Sequence, residues 1–198
     1  MELWIATGNA GKLKEFQLQL KEIADLKLHV QSEIPGFTPR PEDGQTFLDN
    51  ARIKARTLKA VRPGVWILGE DAGLEVTGLG HFPGIHSARY AGPKASDSEN
   101  VAKLLKMMQI RHVADRSARF VCTTVVFTPA GEEWVFTGEL KGQIAKVPSG
   151  QLGFGYDPVF IPEGETKTLA ELGPGYKIQH SHRAQALKQF IQKLRGSL

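Results

Sequence analysis

The 198-residue chain predicts an α/β domain built on a mixed sheet. Strand-like apolar runs alternate with segments whose apolar residues recur at helical spacing. Two long strand-like runs, "SARFVCTTVVFT" and "EWVFTGELKGQI", are separated only by "PAGE" and form a hairpin, which breaks a clean strand–helix–strand repeat. With 41% hydrophobic and 23% charged residues, the composition is that of a soluble globular chain, long enough for one domain or two small lobes sharing a cleft.

The elements follow in order. "LWIAT" is the first strand, and Leu13, Phe16, Leu20 and Ile23 then define one apolar helix face. "KLHV" is a short strand. The proline-rich "EIPGFTPRPEDG" excludes helix and is an ordered loop. Thr46 and Asp49 make a capping box, with aspartate in place of the usual glutamate, for a helix whose inner face carries Phe47, Ala51, Ala55 and Leu58. "GVWILGED" is a buried strand that ends on two acids, and "GLGHFPGIHSARYAGP" is again loop. Ser96 and Glu99 form a second capping box, for a helix through Met108 with Val101, Leu104, Leu105 and Met108 facing inward. After the hairpin, "GFGYDPVFIP" is a glycine-rich loop leading into a short strand. The last helix starts near Ser181 and buries Ala184, Leu187, Ile191 and Leu194. There is no internal repeat and no low-complexity segment.

Lysine plus arginine number 25 against 21 acids, a surplus that suits a polyanionic partner without choosing between nucleic acid and a nucleotide. The charges are interspersed, and no basic block marks a nucleic-acid tail. The lone Cys122 rules out an intramolecular disulfide and a multi-cysteine metal site, and its β-rich surroundings make it a buried structural thiol. No apolar run approaches a membrane span and no signal-peptide pattern precedes the first strand, so a cytoplasmic protein without a membrane partner is expected.

Five stretches carry potential chemistry. In "TGNAGK" (Thr7, Gly8, Asn9, Ala10, Gly11, Lys12), backbone N–H groups at a helix start favour an anion, and Lys12 adds a mobile charge. The glycine spacing is too short for a P-loop, and a plain turn with a solvated lysine is the alternative. Glu70 and Asp71 close an apolar strand. Because successive strand residues face opposite sides, at most one of them reaches a reacting centre. Carboxylates suit magnesium, and Glu42 in the proline-rich loop is a third candidate. Asn50 and Lys54, four apart, share a helix face distinct from the apolar one. "GFGYDP" offers aromatic rings for a planar base and Asp157 as an acceptor, or else a small aromatic core. Lys177 precedes the last helix, and Ser181, His182 and Arg183 occupy its first turn. Basic groups there oppose the helix dipole and answer to a negative or accepting ligand. The His180/His182 pair is only a weak zinc signal.

Together these stretches describe a nucleotide site, and their order and spacing resemble the inosine triphosphate pyrophosphatase family over about residues 3–195. The likeness rests on "ATGNAGKLKEF", "EDGQTFLDNARIKA", "EDAGLEV", "LGHFPGIHSARYAG", "GFGYDPVF" and "SHRAQAL". The resemblance implies an elongated mixed sheet flanked by helices, one domain over residues 1–198 whose two lobes share a nucleotide cleft, and a homodimer. It implies magnesium-dependent hydrolysis of inosine, deoxyinosine or xanthosine triphosphate to the monophosphate and pyrophosphate. By matching position, Thr7 through Lys12 and Lys54 would hold the triphosphate, with Ala72 where the family commonly has a hydroxyl. Glu42 and Asp71 would hold magnesium, and Asp71 would also activate water. Phe154, Gly155, Tyr156 and Asp157 would frame the base, and Lys177, His182 and Arg183 would complete the pocket. Besides Ala72, the chain departs from the family at Tyr176, which replaces an acid, and at His180, which replaces a small apolar residue. The alternatives are a pyrophosphatase of other base preference and a nucleic-acid-binding module. The latter has no use for Glu42 and Asp71, and no stable nucleic-acid partner is expected.

Overall fold

Six strands and five α-helices carry the fold in a computed structural model that describes residues 1–196. In chain order they are β1 (Glu2–Ala6), α1 (Ala10–Leu20), β2 (Lys27–Val30), α2 (Phe47–Val61), β3 (Trp66–Val76), α3 (Asp97–Ile110), β4 (Ser117–Phe127), β5 (Glu133–Ile144), β6 (Phe160–Pro162), α4 (Leu169–His180) and α5 (His182–Gly196). The strand order is β2-β1-β3-β4-β5-β6. β1 runs parallel to both β2 and β3, while β5 and β6 are antiparallel, so the sheet is mixed as the hairpin predicts.

The chain divides into two compact units. Unit 1 comprises residues 1–71, 122–138 and 183–198; unit 2 comprises residues 72–121 and 139–182. In unit 1, Trp4, Ala6, Ile67, Val125 and Phe127 pack against Ala51, Ala55 and Leu58 of α2. The two alanines on the inner face of α2 carry almost no side chain, which lets the helix lie close to the sheet and brings its polar positions near β3. Trp66, Trp134, Phe136 and Phe190 form a further chain of edge-on and tilted rings in this unit. In unit 2, Leu74, Val76, Val101, Leu104, Met108, Phe120, Tyr156 and Phe160 belong to one buried cluster.

Both predicted capping boxes form. Thr46 and Asp49 exchange reciprocal bonds of 3.1 Å at the start of α2, and Ser96 and Glu99 do the same at α3 with 2.7 and 3.3 Å. The 128–132 turn closes the hairpin, with Thr128 N–H on the Glu132 carbonyl at 2.9 Å. Two expectations fail. α1 stops at Leu20, before Ile23, where the chain tightens into a turn and Asp25 takes a positive φ of 53°. β3 does not end at Glu70 and Asp71 but continues to Val76, so the acids lie in mid-strand. Lys177 precedes α5 as expected, but it lies inside a further helix, α4, whose own capping box joins Thr168 and Glu171. Among the described residues, no helix is long and apolar enough to cross a membrane.

Candidate active site

Unit 1 brings together the residues at the start of α1, the inner polar face of α2, the Glu42 loop and the middle of β3. Asn9 is the N-cap of α1: its Oδ1 accepts the Lys12 backbone N–H at 2.9 Å, and the Thr7 hydroxyl accepts the Asn9 N–H at 3.1 Å. With its oxygen committed to the cap, Asn9 has its amide N–H groups to offer an anion. Gly8, Ala10 and Gly11 complete this turn. Its helix-start N–H groups and dipole favour negative charge, as the sequence suggests.

The adjacent acids of β3 point to different partners, as strand alternation requires. Glu70 meets Lys12 Nζ at 2.8 Å and the Arg183 guanidinium at 2.8 Å, and Arg183 also binds Glu15. Burial alone would raise the Glu70 pKa, but Arg183 and Lys12 outweigh it and hold the carboxyl well below its ordinary range. Arg183 is only 1% exposed, and where its position predicted a negative or accepting ligand it meets two carboxylates of the chain itself. Sequence reasoning missed Glu15. Its only signal is an acid beside Phe16 on the inward side of α1, one turn after Lys12.

Asp71 and Glu42 converge on a single cation. Lys54 Nζ lies 2.8 Å from Glu42 Oε2, 2.8 Å from Asp71 Oδ1 and 3.1 Å from the Glu70 carbonyl. Burial holds the Asp71 pKa above its ordinary value despite the nearby lysines, leaving a desolvated carboxylate that is a better proton acceptor than a solvated one. Burial would lower the Lys54 pKa, but Asp71 and Glu42 more than offset it, so the ammonium stays charged. Among the described residues, no group of three His, Cys, Asp or Glu side chains is arranged to hold a metal. Magnesium does not require one, since it is commonly bound by one or two carboxylates together with substrate phosphates. Two hard oxygen donors within 2.8 Å of one shared cation fit that demand.

Unit 2 holds the aromatic loop. Asp157 Oδ2 accepts from Lys177 Nζ at 2.7 Å and from the Phe154 N–H at 3.0 Å. The Lys177 ammonium lies 4.4 Å from the centre of the Phe154 ring. Gly153 has φ +85°, and a Cβ there would collide with the Asp157 carboxylate, so the loop needs glycine at this point. The Gly155 N–H donates to Asp97 Oδ2 at 2.7 Å, tying the loop to the first turn of α3. Phe154 and Gly155 border a cavity of about 980 Å³ that runs along Val101, Leu105 and Met108 of α3. Tyr156 is a core residue, its hydroxyl donating to the Ser87 carbonyl at 2.8 Å, and it supports the loop from beneath. His182 is buried and stacks on Phe120 with centroids 4.9 Å apart. Ala72, the residue after Asp71, is half-buried. The two other departures from the family pattern touch each other: the Tyr176 and His180 rings lie 4.7 Å apart, one helical turn separated on α4.

The chain is similar to known proteins over almost its whole length. The Ham1 family profile matches residues 3–193. A protein of Bdellovibrio bacteriovorus named dITP/XTP pyrophosphatase is 69% identical over 98% of both chains. Solved Ham1 proteins of Coxiella burnetii and Staphylococcus aureus superpose with TM-scores of 0.88 and 0.87, at 37% and 38% identity, covering 99% and 100% of both chains respectively. The motif resemblance, the mixed sheet and these matches agree, and the chain belongs to the Ham1 family.

Proposed function

We propose that the protein hydrolyses ITP, dITP and XTP to the nucleoside monophosphate and pyrophosphate, clearing deaminated purines from the nucleotide pool. The observation that carries the reading is the meeting of Glu42 and Asp71 on one cation point beside the Lys12–Glu70 pair. Glu42 and Asp71 would hold magnesium, which when bound supplies positive charge for the phosphates. Water attacks the α-phosphorus, the bond from that phosphorus to the bridging oxygen breaks, and pyrophosphate leaves. Asp71 takes the water's proton at a carboxylate oxygen. Lys12 and Lys54, with the N–H groups of the Thr7–Lys12 turn, hold the triphosphate, since phosphoryl transfer depends mainly on positioning and charge. Arg183 serves through Glu70, fixing the carboxylate that holds Lys12.

Phe154 offers a ring to the base, and Lys177 and His182 offer donors. Inosine and xanthosine carry an oxygen acceptor at C6 where adenine carries an amino donor, so buried donors left unpaired against adenine exclude it. We further infer a cytoplasmic homodimer, from the family resemblance.

The test is pyrophosphate release from ITP, dITP, XTP, GTP, ATP and dUTP, with and without magnesium. Release is expected to be fast only with the first three and only with the metal. Asp71→Asn should abolish it while the protein stays folded. Equal rates on GTP or ATP would overturn the specificity, and orthophosphate as the first product would overturn the chemistry.

A further inference from the structure

Asn50 has no part in the roles assigned above, yet it is completely buried on α2, one turn before Lys54. Its amide works in two directions. Oδ1 accepts the backbone N–H of Gly44 at 2.9 Å, and Nδ2 donates to Asp71 Oδ2 at 3.2 Å. Gly44 lies two residues after Glu42 in the same loop. One side chain therefore joins the strand bearing one of the paired acids to the loop bearing the other.

The Asn50 bond holds Asp71 by Oδ2, while Asp71 Oδ1 is the atom that reaches Lys54 at 2.8 Å. Holding one oxygen fixes the rotation of the carboxylate and aims the other. On the loop side the fit is close: a Cβ on Gly44 would lie 2.6 Å from Asn50 Oδ1 and 2.6 Å from Asp49 Cβ. A neutral amide suits both demands, because it carries a donor and an acceptor. Aspartate would set a second negative charge against Asp71, and an aliphatic side chain would leave a half-buried N–H and a buried carboxylate oxygen without this partner.

We propose that Asn50 is a positioning residue for the divalent-cation site: it sets the rotation of Asp71 and the approach of the Glu42 loop, so that the two acids converge on one ion. The proposal rests on the reading of Glu42 and Asp71 as metal ligands. Removing a group that orients a metal ligand typically costs about 10–100-fold in metal affinity.

The experiment titrates Mn²⁺ by electron paramagnetic resonance against the protein bound to an ITP analogue with a methylene bridge between the α- and β-phosphates. Asn50→Leu is expected to weaken Mn²⁺ by about 10–100-fold, and Gly44→Ala to weaken it in the same direction. At saturating metal the KM for ITP stays within about threefold, as expected for a group remote from uniform substrate binding. A merely structural asparagine would lower the melting temperature and leave Mn²⁺ affinity unmoved. If Asn50→Leu does not fold, Gly44→Ala decides, because it leaves Asn50 and both acids in place. Mn²⁺ affinity within twofold of the parent in the folded variants would overturn the proposal. Glu42→Gln and Asp71→Asn separate the two levels. If they weaken Mn²⁺ and the Asn50 and Gly44 variants do not, only the positioning role falls. If they leave Mn²⁺ binding intact, the ligand reading falls and the positioning role with it.

Discussion

Replacing Arg183 with methionine separates a guanidinium that serves the fold from one that serves a ligand. The group is 1% exposed and is shared by Glu15 and Glu70, both buried carboxylates. Methionine restores much of the volume and none of the charge, so the loss is chiefly electrostatic. Removing one member of a buried ionic set costs about 3–5 kcal/mol, because the remaining charges stay desolvated. For a chain of this length each kcal/mol moves the melting temperature by about 2–4 °C, which gives a fall of roughly 6–20 °C. Arg183→Lys should lie in between, since a point charge cannot fork across two carboxylates. Adding Glu15→Gln to Arg183→Met should recover part of the loss, because it removes one of the stranded charges. Scanning calorimetry and urea titration at pH 7 measure all four proteins. The structural assignment is refuted if Arg183→Met keeps its stability within about 1 kcal/mol while its KM for ITP rises, or if the second substitution recovers nothing.

Two further perturbations test other features. The folded-state pKa of Glu70 is depressed below 4.5, so its ionic contribution is fully present above that pH and is lost as pH falls through and below it. In metal-free buffer the urea midpoint should therefore fall more steeply below pH 4.5 in the parent than in Glu70→Gln; parallel curves would contradict this. Gly153→Ala forces a side chain into a left-handed backbone against Asp157, at a cost of about 1–2 kcal/mol. That should lower the melting temperature by about 2–8 °C. Displacing Asp157 from Lys177 and Phe154 should also raise the KM for ITP about tenfold with kcat nearly unchanged, as for lost ground-state positioning. Steady-state kinetics with unaltered KM would detach this loop from the base.

Where a signal is local, the sequence carries it to the correct residue. The two capping boxes need only a hydroxyl and an acid three positions apart, and both form as expected. α4 escaped notice because Gly173, Pro174 and Gly175 interrupt it, with Gly173 at φ 77°, and such a run ordinarily denotes a loop. The true extent of β3 was hidden for a different reason. Two adjacent acids end a strand when they are solvated, but here they are neutralised by residues far away in sequence: Arg183 lies 113 positions from Glu70, and Lys54 17 from Asp71. The same long-range pairing turned Arg183 from an apparent ligand-facing group into the partner of Glu15 and Glu70. Asn50 and Lys54 were visible as a shared helix face, but which acids they met depended on how closely α2 approaches the sheet.

Cys122 lies in β4 beside these charges, fully buried, with Sγ 3.4 Å from Glu70 Oε1 and 3.6 Å from Thr124 Oγ1. Burial, reinforced by the Glu70 charge, pushes its thiol far up from the ordinary value, so the folded protein presents almost no thiolate to a reagent. As the chain's single sulfhydryl, it is a built-in clock for the opening of unit 1. When reclosing outpaces reaction, its labelling rate, divided by that of a free thiol, gives the fraction of molecules open at any moment. The same inertness leaves the surface clear, so that one engineered cysteine could carry a fluorophore without the native residue first being removed.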